Sequence, residues 1–80
     1  MARYFFDFRS PGSSSIDEEG EDLSDMGAAH RVALKALSNA IPDIAIEGGI
    51  DQRFTVDVRD ELGPVLRVGA ILESRIFRKQ

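Results

Sequence analysis

The spacing of apolar positions along this chain changes period twice, and each change predicts an element. In "RYFFDFR", residues 3–9, Tyr4, Phe6 and Phe8 alternate with Arg3, Phe5, Asp7 and Arg9, the period-2 pattern of a half-buried strand with Phe5 out of place. After the Ser-Pro-Gly turn at 10–12, residues 14–17 predict a short return strand carrying Ile16 inward. The spacing then becomes helical: Met26, Ala29, His30, Ala33, Ala36, Leu37, Ala40 and Ile41 share one face, while Arg31, Lys35, Ser38 and Asn39 share the other. Ser24 is the expected N-cap, with Asp25 in the first turn against the positive helix end. Pro42 is expected to stop or kink this helix, with residues 43–47 adding a last turn, and Gly48-Gly49 to be a break.

Period 2 returns in "RFTVDVRDELGPVLRVGAIL". Phe54, Val56 and Val58 alternate with Arg53, Thr55, Asp57 and Arg59, and Leu66, Val68, Ala70 and Leu72 with Val65, Arg67, Gly69 and Ile71. "DELG" suits a tight turn closed by Gly63 at positive φ, with Asp60 opposite Pro64. That register sets Val58 against Leu66 and Val56 against Val68 on the core face, and Asp57 against Arg67 outside. The fold class this predicts is α+β, a two-layer ββαββ unit. An antiparallel sheet of three to four strands carries one main helix, about 25–41, on one face. Residues 1–80 form a single small domain, with 73–80 as a flexible or partner-docking tail.

Charge sharpens this picture. Fourteen acids against ten bases give a net charge of −4, which disfavours non-specific attraction to nucleic acid or anionic lipid. Residues 7–25 hold seven acids and one base, whereas residues 67–80 hold four bases and one acid. No cysteine is present, so no disulfide or thiolate chemistry is available, and a cytoplasmic setting is expected. No apolar run approaches the length of about 18 residues needed to span a bilayer, so no membrane role is expected.

The candidate chemistry is sparse. Six carboxylates crowd positions 17–25, but a calcium loop needs oxygen ligands at alternate positions before its glycine and a closing glutamate. Counted from Asp22, Gly27 falls correctly, yet Met26 stands at a ligand position and no glutamate closes the loop, which leaves too few ligands. The stretch therefore reads as a solvated lead-in to the helix, with no metal expected. His30 has Met26 and Leu34 at helical spacing, so it reads as a residue at the core edge and not as a ligand or base. Gly48-Gly49 lacks a following Lys-Ser or Lys-Thr, and no glycine-rich cofactor fingerprint occurs, so neither catalytic residue nor cofactor is expected.

The "RYFFDFR" opening, the acidic "DEEG" with Leu23 beyond it, the "AAHRVAL" helix and the "VRDELG" hairpin occur in one order over residues 2–70. Together they resemble a family of small proteins of unknown function common in rhizobia and related soil bacteria. The resemblance implies a compact bacterial cytoplasmic domain with no established activity, and it carries over no catalytic residue. Pro42 and the basic tail "ESRIFRKQ" depart from that family's pattern.

The functional expectation is a small non-catalytic interaction module that self-associates or binds an unidentified protein. Its partner surface is expected at Arg3, Phe5, Arg53, Arg59, Arg67, Ile76 and Phe77. Ile76 and Phe77 need cover, either from their own domain or from a second copy, whose acidic 17–25 region would meet Arg75, Arg78 and Lys79. The alternative is a nucleic-acid accessory protein that stacks bases on Phe5 among the arginines and uses the basic tail. One aromatic residue beside Asp7 and Asp57 makes a poor platform for it.

Overall fold

The computed structural model describes residues 1–48, 51–75 and 77–78. Five antiparallel strands and one helix follow each other as β1 (Ala2–Ser10), β2 (Ser13–Ser15), β3 (Glu21–Leu23), α1 (Met26–Gly48), β4 (Asp51–Asp60) and β5 (Gly63–Glu73). The main sheet runs β2-β1-β4-β5, and β3 pairs with β1 as well. The α+β architecture is the expected one, with more strands than the three to four predicted. Residues 13–23 form two short strands on the same edge of β1, β2 beside Phe8–Ser10 and β3 beside Ala2–Tyr4. Three-residue strands carry too little alternation to show a period.

The long strands obey the alternation. Tyr4, Phe54, Val56, Val58 and Val68 are buried against Ala29, Ala33 and Leu37 of α1, and Phe6, Phe8, Leu66, Ala70 and Leu72 pack around them. Small alanines let the helix approach the sheet, and the aromatic rings fill the space beneath it. The predicted pairs Val58↔Leu66, Val56↔Val68 and Asp57↔Arg67 are all present. The turn end differs: Asp60 pairs with Gly63 and Arg59 with Pro64, so a bulge next to Val58 takes up the extra residue. Pro64 cannot donate to a ladder, and a bulge near a turn is where a strand tolerates one. Gly63 has φ +121°, as the tight turn requires.

The helix corrects the expectation at both ends. Asp25, not Ser24, is the N-cap: its Oδ1 accepts from Ala28 N at 2.8 Å, and its carbonyl accepts from Ala29 N at 3.2 Å. At the other end α1 passes through Pro42 to Gly48, beyond the main helix of about 25–41 that was expected to be stopped or kinked there. A proline removes only its own N–H and crowds one carbonyl, and helix formers on both sides carry the backbone past it. The buried stripe is also narrower than the pattern implied. Met26, His30 and Ala36 are exposed, because α1 rests on β4 and β5 and the face beyond Ala29, Ala33 and Leu37 meets no further layer. Ile16, expected inward, is exposed because β2 ends at Ser15.

Candidate functional site

α1 covers one face of the sheet, and the other carries the charged residues of β1, β4 and β5. Their arginines are mostly engaged. Arg9 Nε donates to Asp57 Oδ2 at 3.2 Å, and Arg67 donates to the other oxygen of the same carboxylate. Arg3 pairs with Asp22 at 3.1 Å and donates to the Glu19 carbonyl. Arg53 is exposed beside Thr55, Gly69 and Ile71, in a shallow depression of about 470 Å³, and forms no ion pair among the described residues. Of the expected partner surface, Arg3, Phe5, Arg53, Arg59 and Arg67 thus share one side of the sheet. Phe77 is 95% exposed, and Ile76 lies outside the described residues.

Phe5 does not stand free as expected. It is half-buried, with the Arg59 guanidinium 4.5 Å above its ring centroid. Arg59 is in turn held by Asp7, whose Oδ2 accepts from Nε at 2.9 Å, and by the Asp17 carbonyl, which accepts from Nη2 at 2.8 Å. Asp7, though on the outward side of β1, is buried by this stack.

Residue 17 is the main surprise of the acidic stretch. β1 pairs with β3 at residues 2–4 and with β2 at 8–10, leaving its middle without a strand on that edge. The Asp17 carboxylate fills the gap: Oδ2 accepts from Phe6 N at 3.0 Å, and Oδ1 from Glu19 N and Gly20 N at 3.1 Å each. Asp17 N donates to Asp7 Oδ1 at 2.9 Å, which ties the two acids to one another. Gly20 permits this geometry. It has φ +72°, and a Cβ there would lie 2.9 Å from the Tyr4 carbonyl oxygen.

Burial pushes the Asp7 carboxyl up, but the Arg59 hydrogen bond, the Asp17 N–H and the charges of Arg59 and Arg9 outweigh it and hold Asp7 below the usual carboxylate range. Burial likewise raises Asp17, and the N–H groups of Phe6, Gly20 and Glu19 with the Arg59 charge bring it below that range. The remaining acids of the stretch, Glu18, Glu19, Glu21, Asp22 and Asp25, are exposed, as a solvated lead-in requires. Asp-x-x-Gly is a recognisable side-chain-to-backbone turn, so its local half could have been found in sequence. Its long-range half, to Phe6 and Arg59, could not.

Among the described residues, no three His, Cys, Asp or Glu side chains gather as a metal site, and no helix is long and apolar enough to cross a membrane. His30 is exposed beside Met26 and Leu66, not packed at the core edge. What these elements define is a small α+β module with one open, internally paired face and two unlike sheet edges. The chain belongs to the family described as a domain of unknown function, DUF6894, which matches residues 3–70. No curated protein matches it, and no solved structure does.

Proposed function

We propose that the chain is a non-catalytic, cytoplasmic interaction module that presents the β5 side of its sheet to a protein partner. The observation that carries this reading is the state of β5: eleven residues long, it pairs among the described residues only with β4. A strand so placed offers a row of backbone donors and acceptors, the template for adding another strand. Exposed apolar side chains accompany it, Ile71 at 68% and Phe77 at 95%. Nucleic-acid binding through the same face has less support, because Arg59 occupies the Phe5 ring and the carboxylates of Asp7 and Asp57 engage Arg59, Arg9 and Arg67.

The test uses the immobilised full chain and an Ile71→Lys variant, offered cell protein together with labelled copies of the chain itself. The reading requires a protein that the wild type holds and the variant loses, with the difference reproduced from purified components. Identical sets on both would overturn it, as would salt-dependent binding of short single strands with no protein bound.

A further inference from the structure

The interaction reading leaves the partner open, and the residues of β5 narrow it. We propose that the partner is a second copy of this chain, joined edge to edge through antiparallel β5 strands about a two-fold axis at Ala70. This rests on the interaction reading and names its occupant.

A two-fold axis perpendicular to the sheet pairs residues that lie on the same face, so the two copies must meet with like positions of the pleat opposed. Centred on Ala70, Arg67 of each copy faces Glu73 of the other, Gly69 faces Ile71, and Val68 faces Leu72. Arg67, Gly69, Ile71 and Glu73 are exposed in the single chain, whereas Val68 is buried on the helix side. Arg67, already held by Asp57, and Glu73, already paired with Arg75 at 3.3 Å, thereby each take one further opposite charge on the outer face, where each branched side chain also sits over a glycine; the inner face continues the apolar layer. Moving the axis one residue to Ile71 sets Arg67 against Arg75. Moving it to Gly69 sets Arg67 against Ile71 and leaves Glu73 facing Val65. Of these registers, the one at Ala70 is self-complementary in both charge and size.

The helix fits the same axis independently. α1 packs on both β4 and β5, so two strand spacings separate it from its counterpart across the seam. That is about 10 Å, the usual distance between packed helices. The side of α1 toward β5 is marked by the hollow that Met26, Gly27 and His30 line with Leu66 and Arg67. Leu34 is one turn beyond His30 on this side and is 45% exposed. Met26 to Leu34 is about 12 Å of helix rise, and about 12 Å along β5 from Leu66 reaches Ala70. Leu34 therefore stands beside the axis, where it meets the Leu34 of the second copy.

Sedimentation equilibrium of the full chain, of Glu73→Lys and Arg67→Glu variants, and of their equimolar mixture tests the register. In either variant alone both cross-pairs become like charges; in the mixed dimer both are opposite. The expected result is a wild-type dimer, a dissociation constant raised at least tenfold in each variant, and recovery in the mixture. A mixture no tighter than its components overturns the proposal, as do variants that dimerise like the wild type. If Arg67→Glu does not fold by circular dichroism, Leu34→Glu replaces it: a monomer is expected, and a dimer as tight as the wild type overturns the arrangement. A monomeric wild type overturns self-association while leaving the interaction reading to the Ile71→Lys experiment.

Discussion

The two edges of this sheet are built on opposite plans. At the β1 edge the chain folds back twice, and where neither short strand reaches, the Asp17 carboxylate takes the Phe6 N–H and Arg59 clamps the excursion down. At the β5 edge nothing comparable is described: the strand has Pro64 and a bulge at its start and is regular from Leu66 to Glu73. Edge strands are a liability that proteins usually blunt. One edge here is sealed by dedicated side-chain chemistry and the other is left regular, and it is on this difference that the proposed pairing through β5 rests.

Substitutions can break this contrast, and the largest effect is expected at the sealed edge. Gly20→Ala forces an L-residue to positive φ and drives its Cβ against the Tyr4 carbonyl oxygen, so urea unfolding should show a loss of about 2–4 kcal/mol. Next, Asp17→Ala strips the acceptor from the N–H groups of Phe6, Glu19 and Gly20 and should cost about 2–3 kcal/mol, with faster amide exchange at Phe6. Gly63→Ala, which also meets positive φ but has open space for a Cβ, should cost only about 1 kcal/mol. Comparing Gly63 with Gly20 separates backbone strain from collision. At the open edge, Ile71→Lys should change the stability of the single chain by less than about 0.5 kcal/mol.

Acid tests the same clasp. Asp7 and Asp17 titrate below their ordinary value in the folded chain, so the stability they contribute is present above the unfolded-state pKa, near 3.8, and is lost as pH falls through the lower folded values. The melting temperature should therefore drop steeply below about pH 4. The double variant Asp7→Asn, Asp17→Asn should flatten that drop. An unchanged acid profile would show that the clasp does not couple to folding.

The contrast between the edges also marks what sequence could show. The β4–β5 pairs were legible because alternation and a glycine turn agree on one register. The Asp17 clasp was not, because a carboxylate that replaces a missing strand leaves no periodic trace, and Arg59 reads as one more outer-face arginine. At Pro42 a local rule suggested a stop or a kink, and the helix as a whole runs on past the one lost bond to Gly48. Met26 and His30 were assigned inward by helical spacing alone. Spacing shows which residues share a face, but not how wide a sheet lies beneath it, and α1 rests mainly on β4 and β5, with a smaller contact to β3.

The reach of Arg59 across the chain has a consequence for the order of folding. Asp57 and Arg67 are 10 residues apart, whereas Asp7 and Arg59 are 52 apart. Closing the longer loop costs about 1.5 kcal/mol more in chain entropy, so the β4–β5 hairpin is expected to form first and β1 to dock onto it afterwards. During synthesis at roughly 5–20 residues per second, Asp7 waits on the order of 3–10 s before the cation that neutralises it exists. Until then the aromatic residues of β1 have only the short local strands and α1 for cover. The interval before Arg59 arrives is when this chain is most exposed to wrong pairing.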